Sequence, residues 1–369
     1  MIKEKKICYF LKSGREKRIG KKYPDEFLYG LRFCKKHGLN VSLILDSELE
    51  LDGGVNHKIV SIINMVIYWL IGIPGKALFY IFLKRKIFVQ YDVIIVTTNA
   101  YGLCLAFLKK LGFLKPKIFF IAMGVVNDRT PFLWVIVYKF ILKNIKIITL
   151  SFEDSYFLEK KIKTKVDYIN FGVDKNFWCP QNKTKVKNYV ISIGNDLNRD
   201  YETLIKAWKN DFPLLKIITN HKIKTNKKNI QIIFGDWASV ILTDKQIKKL
   251  IIESLFVVLP IKETIQPSGQ SVSLQSMSCA KTVLITDFKG LWNRELMRNN
   301  KTCMLAGKPG EIKILESSIR KLISNKPMLK KIGLNARTIV EKNLNSYEMG
   351  SQIYKKIEAH ITNTNLQKN

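Results

Sequence analysis

No window of this sequence reaches the ~18 uninterrupted apolar residues that a bilayer-crossing helix needs. The stretch that comes nearest, IVSIINMVIYWLIGIPGKALFYIFLKRK (Ile59–Lys86), is interrupted by Ser61 and Asn64 and broken by Pro74–Gly75. The six cysteines are scattered and include no Cys-x-x-Cys pair, which argues against a disulfide or metal framework and for reduced, mostly buried thiols in the cytoplasm. The four histidines, His37, His57, His221 and His360, show no ligand spacing, so no structural metal is expected. The apolar run within MIKEKKICYFLKSG is too short for a signal peptide, and the Asn-x-Thr triplets at Asn182 and Asn300 are therefore read as idle. Acidic residues are also scarce: 30 Asp and Glu face 62 Lys and Arg, for a net charge of +32.

A field of that sign favours anionic partners, whether nucleic acid, acidic membrane or phosphorylated ligand. Lysine far outnumbers arginine, and isoleucine and asparagine are abundant, as an AT-rich coding sequence would produce, so the charge alone does not name the partner. No basic–aromatic motif or known nucleic-acid module is present, and no specific nucleic-acid partner is expected. The apolar pieces of Ile59–Lys86 beside Lys84, Arg85 and Lys86 suit a helix pair that dips one face into an anionic leaflet, or a buried pair of helices.

With 369 residues and 47% hydrophobic composition, the chain has the length of about two domains. KICYFLK, NVSLILD, YDVIIVTT, KIFFIAMG and KIITLS read as buried strands. A helix is expected over Tyr23–Gly38, another at LCLAFLKKLG, and the apolar segment PFLWVIVYKFIL lies between the last two strands. Gly172–Asn188 has Pro, Asn and Lys without periodicity and reads as a linker. The alternation then restarts with YVISIGN, YETLIKAWKN, LKIITN, IQIIFG, TDKQIKKLIIES, LFVVLP and TVLITD, followed by helices over Glu311–Asn343 and Tyr347–His360. Strands alternating with helices imply parallel, doubly wound sheets, with a ligand at the strands' carboxyl ends.

Two loops point to chemistry. In ISIGNDLNRDYETLIKAW, Gly194 follows a strand and Arg199 lies just ahead of a helix, where backbone donors and a guanidinium can share a phosphate. In KETIQPSGQSVSLQSMSCAKTVLITD (Lys262–Asp287), Pro267 fixes the strand exit and Ser268, Gly269, Gln270 and Ser271 present N–H groups with little side-chain bulk. A small-residue loop at a helix start accommodates a diphosphate. Gln275, two turns in, can offer its amide to sugar hydroxyls.

The ordered series from about Ile148 to Tyr354 resembles glycosyltransferase family 4 and its relatives, retaining enzymes of the GT-B fold; the first half matches only in architecture. The family's hinge motif appears as Phe171, Gly172, Val173, Asp174, Phe177 and Pro180, with Phe171 in place of the usual Asn. Of the two cations that hold the donor diphosphate in the family, Asn195 replaces one beside the retained Gly194, and Arg199 stands at the other. The family's two glutamates align with Pro267 and Gln275, so neither carboxylate is present; Glu263 and Gln266 are the groups near enough to stand in. Gly290 and Glu295 match a later family segment loosely. The QPSGQS loop is similar to one carried by related glycosyltransferases. On the first half, the family's histidine position holds Met123–Gly124, followed by Asn127, Asp128 and Arg129. Ser13, Gly14, Arg15 and Lys17 form the first strand–helix loop, and Arg15, Lys17, Arg18, Lys21 and Lys22 could hold a lipid diphosphate or be solvated.

The resemblance thus implies two Rossmann-like domains facing each other across a cleft. The expected limits are 1–180 for the acceptor side, 181–345 for the nucleotide-sugar side, and 346–369 for a helical tail packing back on the first. The expected activity is metal-independent, retaining transfer to a lipid-linked or other glycan acceptor of surface polysaccharide synthesis, at the inner face of the plasma membrane. Arg199, Glu263 and Gln266 are the catalytic candidates. Gly194, Asn195, Ser268, Gly269, Gln270, Ser271, Gln275 and Glu295 join Arg199 on the donor, and Ser13, Gly14, Arg15 and Gly124 serve the acceptor. No cofactor is expected beyond the nucleotide sugar, which is a substrate. A degenerate protein that binds without transfer is the alternative.

Overall fold

The computed structural model describes residues 2–20, 22–49, 57–181, 184–235 and 242–366. Lys21, Asn182 and the 236–239 segment of the second half lie outside the described residues, as do the side chains of His57 and Ser61. In chain order the elements are β1 (Lys6–Leu11), α1 (Leu31–Lys36), β2 (Asn40–Leu45), α2 (His57–Ile71), α3 (Gly75–Leu83), α4 (Lys86–Val89), β3 (Val93–Val96), α5 (Asn99–Lys110), β4 (Lys117–Ala122), α6 (Phe132–Ile141), β5 (Lys146–Thr149), α7 (Phe152–Ile162) and β6 (Val166–Tyr168). They continue with β7 (Tyr189–Ile193), α8 (Tyr201–Ala207), β8 (Leu214–Thr219), β9 (Ile230–Phe234), α9 (Asp244–Glu253), β10 (Val257–Leu259), α10 (Gln270–Ser278), β11 (Val283–Ile285), β12 (Met304–Leu305), α11 (Ile312–Ser324), α12 (Lys326–Asn343) and α13 (Ser346–Leu366).

The chain divides into two compact units, Met1–Ile169 with Met349–Asn369, and Asn170–Glu348. Each holds one six-stranded parallel sheet, ordered β2-β1-β3-β4-β5-β6 in the first and β12-β11-β10-β7-β8-β9 in the second. β3 (VIIV) and the apolar part of β4 (IFFIA) are buried throughout, as a parallel sheet covered by helices on both faces requires. The hinge segment Phe171–Pro180, expected at the end of the first domain, belongs to the second unit.

Three local expectations change. The helix foreseen over Tyr23–Gly38 is interrupted: Tyr29 (φ 47°) and Gly30 (φ 78°) take left-handed conformations, and only α1 is α-helical. Gly30 packs on Gly350 of α13, where a Cβ would lie 2.7 Å from Gly350 Cα. The expected linker is fastened along its first part: the Val173 amide donates to Leu344 O at 3.0 Å, the Ser346 amide donates to Val173 O at 2.9 Å, and Trp178 is fully buried. One Arg337 nitrogen donates to the carbonyls of Lys175, Trp178 and Ser278 at 2.9, 2.9 and 2.7 Å. The short strands β6 and β12 were not foreseen, because two or three residues carry no periodic pattern. All six cysteines are free and all but Cys179 are buried.

Candidate functional site

In a doubly wound sheet the loops at the point where strand order reverses diverge and leave a crevice. In the second sheet that point lies between β7 and β10, so the loop after β7 meets the loop after β10. An antiparallel bridge of Arg199 with Ile261 joins them, and the Lys262 amide donates to Asn198 O at 2.8 Å.

Arg199 sits in this junction and is 4% exposed. A Cβ on Gly194 would overlap its Nε, and one on Gly269 would lie 2.7 Å from its Nη1. Both glycines thus leave room for the guanidinium, and Gly269 (φ 81°) also needs the left-handed conformation that glycine adopts freely. Asp196 Oδ2 lies 3.0 Å from Arg199 Nε, but off the hydrogen-bond direction; Nε and Nη1 both lack a hydrogen-bond partner among the described residues. The other oxygen of Asp196 accepts from the Ser268 hydroxyl. The ion pair offsets part of the guanidinium's burial, and Nη1 keeps an unfilled donor beside Gly269.

Gly269 is the N-cap of α10, without a side-chain cap. Ser268–Ser271 offers fewer amides than expected: Ser268 N–H donates to Gln266 O at 2.7 Å and Gln270 N–H to Pro267 O at 3.3 Å. The amides of Ser271 and Val272 fall in the first helical turn, where the helix supplies no acceptor. Gln266 accepts at Oε1 from Asn198 Nδ2 at 3.2 Å, beside Arg199. Glu263 is exposed and accepts from the Lys289 amide at 3.1 Å. Among the three catalytic candidates, hydrogen bonding therefore brings Gln266 to the arginine loop and ties Glu263 to the Lys289 turn. Gly290 packs on the backbone of Ile265–Gln266.

Asn195 accepts at Oδ1 from the Asn220 amide at 2.8 Å, so it fastens the β7 and β8 exits and has only its amide group left to give. Gln275 is buried in α10, and Glu295 is exposed with its amide donating to Asn293 Oδ1 at 3.1 Å. Sequence reasoning missed Asp196. Its spacing of three residues ahead of Arg199 within GNDLNR is the signal that would have found it. It also missed Tyr201 and Thr219, whose hydroxyls donate to Gly194 O at 2.7 and 2.8 Å and hold that glycine against the guanidinium.

In the first sheet the reversal falls between β1 and β3, and again an arginine stands there. Arg15 donates to Thr97 Oγ1 at 3.0 Å and its guanidinium lies 5.3 Å from the centre of the Tyr29 ring. Ser13 gives its amide (2.7 Å) and hydroxyl to Asp46, and Gly14 gives its amide to Glu16 at 2.7 Å. This loop, expected to face an acceptor, spends those amides on the carboxylates of Asp46, which follows β2, and of Glu16. Gly124 donates to Asp154 Oδ2 at 3.0 Å.

No protein-family model and no curated protein sequence matches the chain. Solved structures do. Sucrose-phosphate synthase from Thermosynechococcus elongatus has a TM-score of 0.70 at 14% identity, over 96% of this chain and 100% of that one. HepE of Anabaena, solved with UDP-glucose, has a TM-score of 0.67 at 12% identity, over 96% and 100%. A glycosyltransferase from Rickettsia africae has a TM-score of 0.65 at 17% identity, over 96% and 99%. At such identities the likeness shows the fold, which is the GT-B architecture expected from the sequence.

Proposed function

We propose that this chain transfers a glycosyl group from a nucleoside diphosphate sugar to a glycan acceptor, with retention of anomeric configuration. The observation that carries the reading is Arg199: a buried guanidinium with an unfilled Nη1 donor, seated between Gly194 and Gly269 at the reversal of the second sheet. The fold shared with glycosyltransferases supports it.

As the anomeric carbon–oxygen bond breaks, negative charge builds on the departing diphosphate. Arg199, the amides of Ser271 and Val272, and the positive end of α10 are fixed donors toward that charge. The protein supplies this cation and these dipoles itself; as the acceptor hydroxyl oxygen bonds to the anomeric carbon on the face the diphosphate leaves, its proton passes to the departing diphosphate oxygen in place of a protein carboxylate. The acceptor in this reading is lipid-linked, and the pathway is surface-polysaccharide assembly at the inner face of the plasma membrane.

The test is turnover of a nucleotide-sugar panel by purified protein. Arg199→Ala should lower kcat/KM by roughly 10²–10³-fold, as loss of one preorganised donor does, with Arg199→Lys partly restoring it. Gly269→Asp should abolish donor binding. Unchanged turnover in both Arg199→Ala and Gly269→Asp rejects this site. A second reading, binding without transfer, is favoured by Pro267 at a carboxylate position and by the engagement of Glu263 with Lys289. Calorimetric donor binding with no transfer to any lipid extract would decide for it.

A further inference from the structure

α2 carries an inverted pattern: Ile62, Met65, Val66 and Trp69, spaced as one helical face, point to solvent, and Trp69 is 76% exposed. α6 does the same with Phe132 (80% exposed), Leu133, Ile136 and Phe140. The two helices are fastened side by side. Trp134 Nε1 donates to Trp69 O at 3.0 Å, Tyr138 OH donates to Gly72 O at 2.8 Å, and the Tyr68 and Trp134 rings meet edge-on at 5.0 Å. These bonds satisfy carbonyls at the end of α2 that the helix itself leaves open. α2 and α3 are bent by 109° to one another, and Asn64 Oδ1 within α2 accepts from the Lys76 amide of α3 at 3.0 Å. The apolar residues are thus held outward by a built scaffold, on a surface larger than scattered apolar side chains explain.

Cations rim this face. Lys110 Nζ lies 4.3 Å from the Phe140 ring centre, and Lys139, next to Phe140 on α6, is exposed. Between His57 and Phe152 the sequence has two acidic residues, Asp92 and Asp128, against thirteen lysines and arginines. A second copy seated two-fold on the same face would set those cations against one another. An anionic bilayer surface accepts both the apolar side chains and the charge.

We infer that the α2–α6 face is a membrane-docking surface, which seats Trp69 and Phe132 in the interfacial layer of an anionic bilayer while the flanking lysines meet its head groups. Its test is cosedimentation of the full chain with vesicles of phosphatidylcholine alone or mixed with phosphatidylglycerol. Binding should be confined largely to the mixed vesicles and fall with added salt. The exposed-site variants Trp69→Ala/Phe132→Ala and Lys86→Glu/Lys139→Glu should each weaken it roughly tenfold or more, with circular dichroism and thermal midpoint unchanged. The inference is overturned if wild type ignores both vesicle types, or if the aromatic pair leaves affinity unchanged. It is equally overturned if sedimentation shows a solution dimer that Trp69→Ala/Phe132→Ala dissolves. Nucleotide-sugar turnover plays no part in this readout, so it stands or falls apart from the proposed reaction.

Discussion

Asp154 is 1% exposed in the first turn of α7, with Oδ2 on the Gly124 amide and Oδ1 without a partner among the described residues. Burial pushes its carboxyl up to about 6. His360 is shifted the other way, to about 4, by burial and by the neighbouring Lys146, Lys117 and Lys109. A carboxyl raised in the folded state holds protons that the unfolded chain has lost, so its contribution falls as pH rises from about 4 to 6, by at most about 3 kcal/mol. A histidine lowered in the folded state does the reverse, and stability rises from about pH 4 to 6.5. The two slopes oppose one another. Urea midpoints should therefore climb with pH across this window in Asp154→Asn and decline in His360→Gln; wild-type slopes in both variants would contradict the assignment. Neither group could be singled out from sequence, since burial decides both and burial comes from distant strands. Arg199 was legible because glycine and arginine keep their spacing around a strand end. The turn's internal use of the Ser268 and Gln270 amides was not, because backbone partners within a loop leave no trace in residue type.

Among the elements, α13 and the hinge give direct tests of stability. Ile353 and Ile357 of α13 are wholly buried, and the Phe119 and His360 rings meet edge-on at 5.6 Å. Ile357→Ala should cost about 2–5 kcal/mol in denaturant unfolding. Trp178→Ala, in the segment first read as a linker, should cost about 3–5 kcal/mol, whereas a true linker residue would cost almost nothing. Most strands were legible as runs of Ile, Val and Phe. The Tyr23–Gly38 helix was misread because its apolar spacing is real, yet the close approach of Gly30 and Gly350 takes the backbone out of helical conformation. That contact spans hundreds of residues in sequence and has no local signature.

At the scale of the whole molecule, the +32 charge predicts nonspecific association with polyanions. Random duplex DNA should bind without sequence preference. Affinity should drop roughly 10³-fold between low and physiological salt if six or more phosphates are met. A marked preference for one sequence or structure, measured by competition, would count against the sugar-transfer reading. The strand order of both sheets lay beyond the sequence, because alternation names a parallel sheet without saying where its order reverses.

The first unit takes its residues from both sides of the second in chain order. During translation, therefore, Asn170–Glu348 must be synthesised before α13 can cover α1 and the β4 side chain Phe119. Until then the nascent N-terminal sheet waits with that flank bare, so the domain made first is the domain completed second.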